Sequence, residues 1–176
     1  MDEILEDFKS ESKALIADLI NILESVEGDF TKVEELEQYG QVVDRIMGGA
    51  STVSMTMDDP SEIEKIAKFA ELCKKVGYRA SQIEKNEDFF HITVALLMDA
   101  TETMESVVDS LGRERKNWNE FLSSTFLDRL KFVNSHFSEN TRASVAVGTG
   151  ENAMGQDDIN DLLKSLGIYT LLVCGK

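Results

Sequence analysis

Asp58-Asp59-Pro60-Ser61-Glu62-Ile63-Glu64-Lys65-Ile66-Ala67-Lys68-Phe69-Ala70-Glu71-Leu72-Cys73-Lys74-Lys75-Val76 is the stretch that decides the fold. Ile63, Ile66, Phe69, Ala70, Cys73 and Val76 recur at steps of three, three, one, three and three, which places them on one stripe of an α-helix. The acidic pair and the proline ahead of them form a helix start, because the first turn favours carboxylates and has no use for the N–H that proline lacks. The spacing predicts a helix over 61–84, with Gly77-Tyr78 as a candidate break or bend.

Working outward, the same periodicity predicts four more helices. One covers 2–27, with Ile4, Leu5, Phe8, Leu15, Leu19, Ile22, Leu23 and Val26 at helical spacing ahead of Gly28. Others run over 32–55, over 87–111 up to Gly112, and over 114–137 with Trp118, Phe121, Leu122, Phe126, Leu127, Leu130 and Val133. Strand candidates are confined to 143–147 and 169–173. Short connections favour antiparallel neighbours, so the expected fold is an all-α antiparallel bundle of about five helices over 1–138. A flexible linker over 139–155 and a short C-terminal helix and tail over 156–176 complete the expected organisation.

Composition narrows the function classes. Eighteen Lys and Arg stand against 33 Asp and Glu, a net charge of −15 that repels nucleic acid and anionic membranes. The opening Met1-Asp2-Glu3-Ile4-Leu5-Glu6-Asp7 lacks the basic and apolar regions of a signal peptide, and no apolar run approaches a membrane span. The expected location is the cytoplasm. Cys73 and Cys174 are far apart and make no metal-ligand or redox motif, so no metal site or cofactor of its own is expected.

Near the C-terminus, Gly155-Gln156-Asp157-Asp158-Ile159-Asn160-Asp161-Leu162-Leu163-Lys164-Ser165-Leu166-Gly167-Ile168 carries a second signal. Ile159, Leu162, Leu163 and Leu166 make one narrow apolar stripe, with Asp157 and Asp158 in the first turn and Gly167 as a stop. A helix of about three turns is marginal by itself in water. It therefore either folds into another protein's groove or packs on its own domain. The apolar residues of 169–176 either cover the stripe or make a second contact.

Asp157, Ile159, Asp161, Leu162, Leu163, Ser165, Leu166, Gly167 and Ile168 resemble the C-terminal pattern D-x-V-x-D-L-L-x-S-L-G-F of the chemotaxis phosphatase CheZ. The same run is more loosely similar to the Q-x-E-I-D-x-L-L peptide of the flagellar switch protein FliM. In both families this element binds the phosphorylated response regulator CheY. The resemblance thus implies a partner-binding surface of Asp157, Asp158, Ile159, Asp161, Leu162, Leu163, Leu166 and Ile168.

In the second helix, Asp44-Arg45-Ile46-Met47-Gly48-Gly49-Ala50-Ser51-Thr52 resembles the motif H-T-I-K-G-G-A-A-T of histidine phosphotransfer (Hpt) domains, as at the start of CheA. The likeness in helix order covers about 2–137. Asp44 stands where the family has its phosphorylated histidine, and Met47 where it has lysine, so the family's relay is excluded. His91 and His136 lie outside the motif and read as ordinary helix residues. Gly48 and Gly49 each cost roughly 1 kcal/mol in a helix, which implies either a helix end or a place of close approach, here to a regulator.

Hydrolysis of a phosphoaspartate asks a helper protein for little more than a water held in line and an acid that fixes its surroundings. CheZ does this with an acid and an amide four residues apart, and the Mg²⁺ belongs to the regulator. Here Glu37 and Gln41 have that spacing, on a face that continues to Asp44 and Gly48, and Asp44 can replace Glu37 as the acid. Glu34 with Gln38 is a neighbouring pair, and Asp99 with Thr103, or Glu102, a rival site.

Other features read more simply. Arg113-Glu114-Arg115-Lys116 reads as a solvated helix start more readily than as a cluster that steers toward an acidic regulator. Met47, Met55 and Met57 read as core fillers more readily than as an adaptable contact surface, and Trp118 and Phe121 as core. The expected function is signal termination by hydrolysis of phosphorylated CheY. The alternatives are a non-catalytic CheY-binding adaptor or phosphate-sink partner and, more remotely, a flagellar-motor component. A homodimer is compatible with the CheZ resemblance.

Overall fold

The computed structural model describes residues 3–113, 117–142 and 156–167, with the backbone alone at 156–159. They form six α-helices: α1 (Glu3–Val26), α2 (Leu36–Ser54), α3 (Ser61–Ala80), α4 (Glu87–Ser110), α5 (Ser124–Asn140) and α6 (Gln156–Ser165). Single 3-10 segments lie at Phe30–Glu35 and Trp118–Glu120. Among the described residues there is no strand, only an isolated bridge between Ile83 and Thr141. The fold is an all-α bundle.

Helices α1 to α4 close a ring, each packing on the next and α4 returning to α1. Cross-contacts give the directions. Phe8 meets Gly49 while Ser25 hydrogen-bonds Glu35 at 2.9 Å, so α1 and α2 run antiparallel. Lys13 pairs with Asp109 at 2.6 Å while Lys9 donates to the Leu111 carbonyl at 3.0 Å, so α1 and α4 do too. Helix α5 lies on α4 and α3, and α6 lies on α3 and α5.

The seam between α2 and α3 is the tightest in the bundle and explains a departure from the sequence reading. Gly77-Tyr78 does not break α3, which runs unbroken to Ala80. Instead the aromatic ring of Tyr39 lies over Gly77 and that of Tyr78 over Gly40. A Cβ at Gly77 would stand 2.7 Å from Tyr39 Cδ1 and 3.3 Å from the Gly40 nitrogen, and one at Gly40 would stand 3.0 Å from the Tyr78 ring. Each glycine is the hole for the other helix's tyrosine. The Tyr39 hydroxyl then reaches Thr101 of α4 at 3.0 Å, fully buried.

Other boundaries shift for local reasons. The second helix begins at Leu36, because Phe30–Glu35 winds as a 3-10 segment capped by Asp29, whose side chain accepts from the Thr31 N–H. The fifth begins at Ser124 rather than 114. There Ser123 accepts from the Phe126 N–H at 3.1 Å, and Trp118 belongs to a 3-10 turn capped by Asn117. Trp118 is nonetheless core, edge-on to Phe69 at 5.6 Å. Helix α5 continues to Asn140, and Arg142 donates its N–H to the Gln82 carbonyl at 3.2 Å, so the bundle extends past 138 to Arg142. Residues 114–116, both strand candidates and the rest of the expected linker lie outside the described residues.

No helix of the described residues is long and apolar enough to cross a membrane. Met47 and Met57 pack against the core as expected, whereas Met55 is 86% exposed and fills nothing.

Gly77→Ala should force α2 and α3 apart, and overpacking of that kind outweighs alanine's better helix propensity, for a net loss of about 1–2 kcal/mol. Gly48→Ala, with nothing within 4 Å of the added Cβ, should gain about 0.5–1 kcal/mol. Urea midpoints of the two variants should move in opposite directions.

Candidate functional site

Helix α2 buries Leu36, Tyr39, Gly40, Val43, Ile46, Ala50 and Val53. Steps of four, three and four place Glu37, Gln41, Asp44 and Gly48 together on the opposite side. Glu37, Gln41 and Gly48 are exposed there, and Asp44 is half-exposed at the flank nearest α3. The helix does not end at the paired glycines but runs six residues beyond Gly48 to Ser54. Gly49 lies beside the Phe8 ring of α1, which a Cβ added there would meet at 3.4 Å, ordinary packing distance. A Cβ added at Gly48 would meet nothing within 4 Å. Gly48 carries the propensity penalty of a mid-helix glycine without any close approach inside this chain to account for it.

The acids of this face are not equivalent. Asp44 is held by Lys74 of α3 at 2.6 Å, which ties the second helix to the third. Arg45 lies 3.8 Å from Glu11 of α1 on the other flank. Between these two clamps Glu37 and Gln41 present an acid and an amide to solvent. Lys74 was not visible as a site residue in the sequence, since it lies thirty positions from Asp44.

The neighbouring pair fares differently. Glu34 belongs to the 3-10 segment rather than to α2, and its carboxylate is taken by Arg142 at 2.7 Å. The rival residues Asp99, Glu102 and Thr103 line a cleft of about 330 Å³ with Glu120 and Ser123. Within it the Asp99 carboxylate is ion-paired with Arg129, and the Thr103 hydroxyl donates to the Asp99 carbonyl at 2.8 Å. That site has walls, but its leading acid is engaged in joining α4 to α5 and its hydroxyl in a bond within α4.

His91 lies 3.6 Å from Glu87 on α4, and His136 stacks on Phe132 of α5 at 4.2 Å, so neither joins the face on α2. Among the described residues no three His, Cys, Asp or Glu side chains gather to hold a metal. Cys73 is buried beside Tyr39, and burial pushes its thiol from the ordinary 9.0 up to about 12, which makes it inert as a nucleophile. Burial also raises the Tyr39 phenol well above its ordinary range, against the Thr101 hydrogen bond that lowers it.

The C-terminal helix forms where the sequence placed it, and Gly167 adopts the left-handed conformation (φ +81°) of a helix stop. The three leucines of its stripe are not open. Leu163 and Leu166 are 2% and 1% exposed, Leu162 is packed against the core, and the helix rests on α3 and α5. Of the expected partner-binding residues, Ile168 lies outside the described residues, as do the side chains of Asp157, Asp158 and Ile159; Asp161 is exposed.

No family model, curated protein or solved structure matches this chain. The likenesses to CheZ, FliM and Hpt domains therefore rest on the residues quoted above.

Cys73 and Tyr39 are both held protonated in the fold above the pH at which the unfolded chain releases those protons. Their stabilisation is complete below the unfolded values and is lost as pH rises, by about 1.4 kcal/mol per pH unit for each group. Unfolding free energy should be level to about pH 8 and fall steeply above 9. Cys73→Ala should flatten that fall by one proton's share.

Proposed function

We infer that the protein binds phosphorylated CheY and speeds hydrolysis of its aspartyl phosphate. The observation that carries this reading is Gly48, an exposed mid-helix glycine where an added Cβ would meet nothing of its own chain, beside an exposed acid and amide four residues apart. The fold does not use that glycine, and a partner surface can. An outward helix face has no walls to exclude water, so it can act only when pressed against a partner's own active site.

In that complex the Gln41 amide oxygen accepts a hydrogen bond from water and turns the water's lone pair toward phosphorus. Glu37 holds a cationic side chain of the regulator in place. Asp44, already engaged by Lys74, serves the arrangement of the two helices, which leaves Glu37 as the acid. The water oxygen bonds to phosphorus as the bond from phosphorus to the aspartyl oxygen breaks. The aspartate leaves as a carboxylate, and the new phosphate keeps the water's protons. Mg²⁺ sits in the regulator and offsets the developing charge. The CheZ-like helix supplies the second contact and raises the local concentration of the first.

The lifetime of phosphorylated CheY, measured with and without this protein, is the direct test. A lifetime shortened by the wild type, and restored by roughly a hundredfold loss of rate in Gln41→Ala with binding unchanged, supports catalysis. An unchanged lifetime with tight binding leaves an adaptor instead. Gly48→Leu should weaken binding roughly tenfold while the fold stays intact, because the branched side chain holds the two surfaces apart.

A further inference from the structure

The two occupants that the sequence left open for the C-terminal helix come into conflict in the structure. Leu163 and Leu166 are almost wholly buried and Leu162 partly so, and the surface that covers them belongs to α3 and α5 of the same chain. These are three of the stripe residues assigned above to regulator binding. A side chain can fill only one groove at a time, so occupation by the bundle and occupation by a partner exclude each other.

The seam has the character of a reversible contact. Helix α6 spans ten residues, too short to persist in water once removed from its groove. Outside the leucines the contact opens into a cleft of about 240 Å³, where Lys68, Glu71 and Lys75 of α3 face Asp161 and Ser165 of α6. The two lysines lie opposite a helix whose sequence carries Asp157, Asp158 and Asp161 against the single Lys164. Lys75 is paired with Glu71 at 2.8 Å and Asp161 lies 3.9 Å from Lys164 of its own helix, so the rim adds a weak, solvent-screened attraction and no direct ion pair between the described residues of α3 and α6.

We propose that α6 is an intramolecular latch: the groove between α3 and α5 masks the leucine stripe, and phosphorylated CheY binds only the fraction of molecules in which the helix has undocked. This rests on the regulator-binding reading above. The apparent affinity for the regulator is then lowered by the ratio of docked to undocked molecules, and anything that loosens the rim raises it. Half-saturation thereby needs a proportionally higher concentration of phosphorylated regulator than the free helix would.

The test is the full-length double variant Lys68→Glu, Lys75→Glu, whose changes lie on the groove and not on the stripe. Two quantities are read: amide hydrogen exchange of residues 157–166, and the dissociation constant for CheY held in its phosphorylated form by a beryllofluoride–Mg²⁺ adduct. Exchange faster by threefold or more, together with binding roughly threefold to tenfold tighter, is the expected result. Faster exchange with unchanged or weaker binding overturns the latch, because release of the helix would then give the regulator nothing. Wild-type exchange already at the rate of an unprotected peptide overturns it equally. Protected exchange that the variant releases, with no regulator binding in either protein, sinks the regulator reading while leaving the docking intact.

Discussion

The close crossing of α2 and α3 is the constraint on which the rest of this bundle depends. Tyr39 can be fully buried only because Gly77 offers no side chain, and Tyr78 can lie flat only because Gly40 offers none. This exchange brings two helix backbones near enough for Asp44 and Lys74 to pair one turn further along. It also carries the Tyr39 hydroxyl across to Thr101, whose own hydroxyl donates to the Leu97 carbonyl at 2.8 Å. The second, third and fourth helices are thus locked at one level by two tyrosines, two glycines and a threonine. With the inner side of α2 committed in this way, Glu37, Gln41 and Gly48 have only solvent to face.

Helix α3 is the hub of the molecule, since it touches α2, α4, α5 and α6. Its buried positions accordingly include Leu72 as well as the stripe from Ile63 to Val76. The two faces not covered by the ring receive the last two helices. Their attachment differs in kind. Helix α5 is tied by Asp99 with Arg129, by Phe89 edge-on to Phe137 at 5.6 Å, and by Asn86 donating to Asn140 at 2.7 Å. Helix α6 leans on leucines and a charged rim.

What the sequence disclosed follows the range of the forces involved. Helices α1, α3 and α4 were legible to within a few residues, because periodicity, glycine stops and a capped acidic start act over neighbouring positions. Gly77 was misread as a possible break, since its role is set by a tyrosine on another helix and not by its own neighbours. The start of α5 was misread because Trp118 and Phe121 keep helical spacing inside a 3-10 turn; the caps at Asn117 and Ser123 were the local sign of it. The outward face of α2 could be drawn from spacing alone, but the engagement of Asp44 by Lys74 could not. The leucine stripe of α6 was fully legible as a stripe. Its occupant was not, because a groove on the same chain and a groove on a partner ask for the same leucines.

The ion pairs of Arg142 with Glu34 and Glu84 fix the place from which the chain leaves the bundle. Glu34 stands three positions ahead of Glu37, so the exit lies at the foot of the candidate face rather than at the far end of the molecule. The thirteen residues 143–155 that follow can span no more than about 45 Å even when drawn straight. The C-terminal helix is therefore leashed to the end of the bundle at which Arg142 is anchored. Two elements joined in this way tolerate changes of sequence between them far better than changes of length.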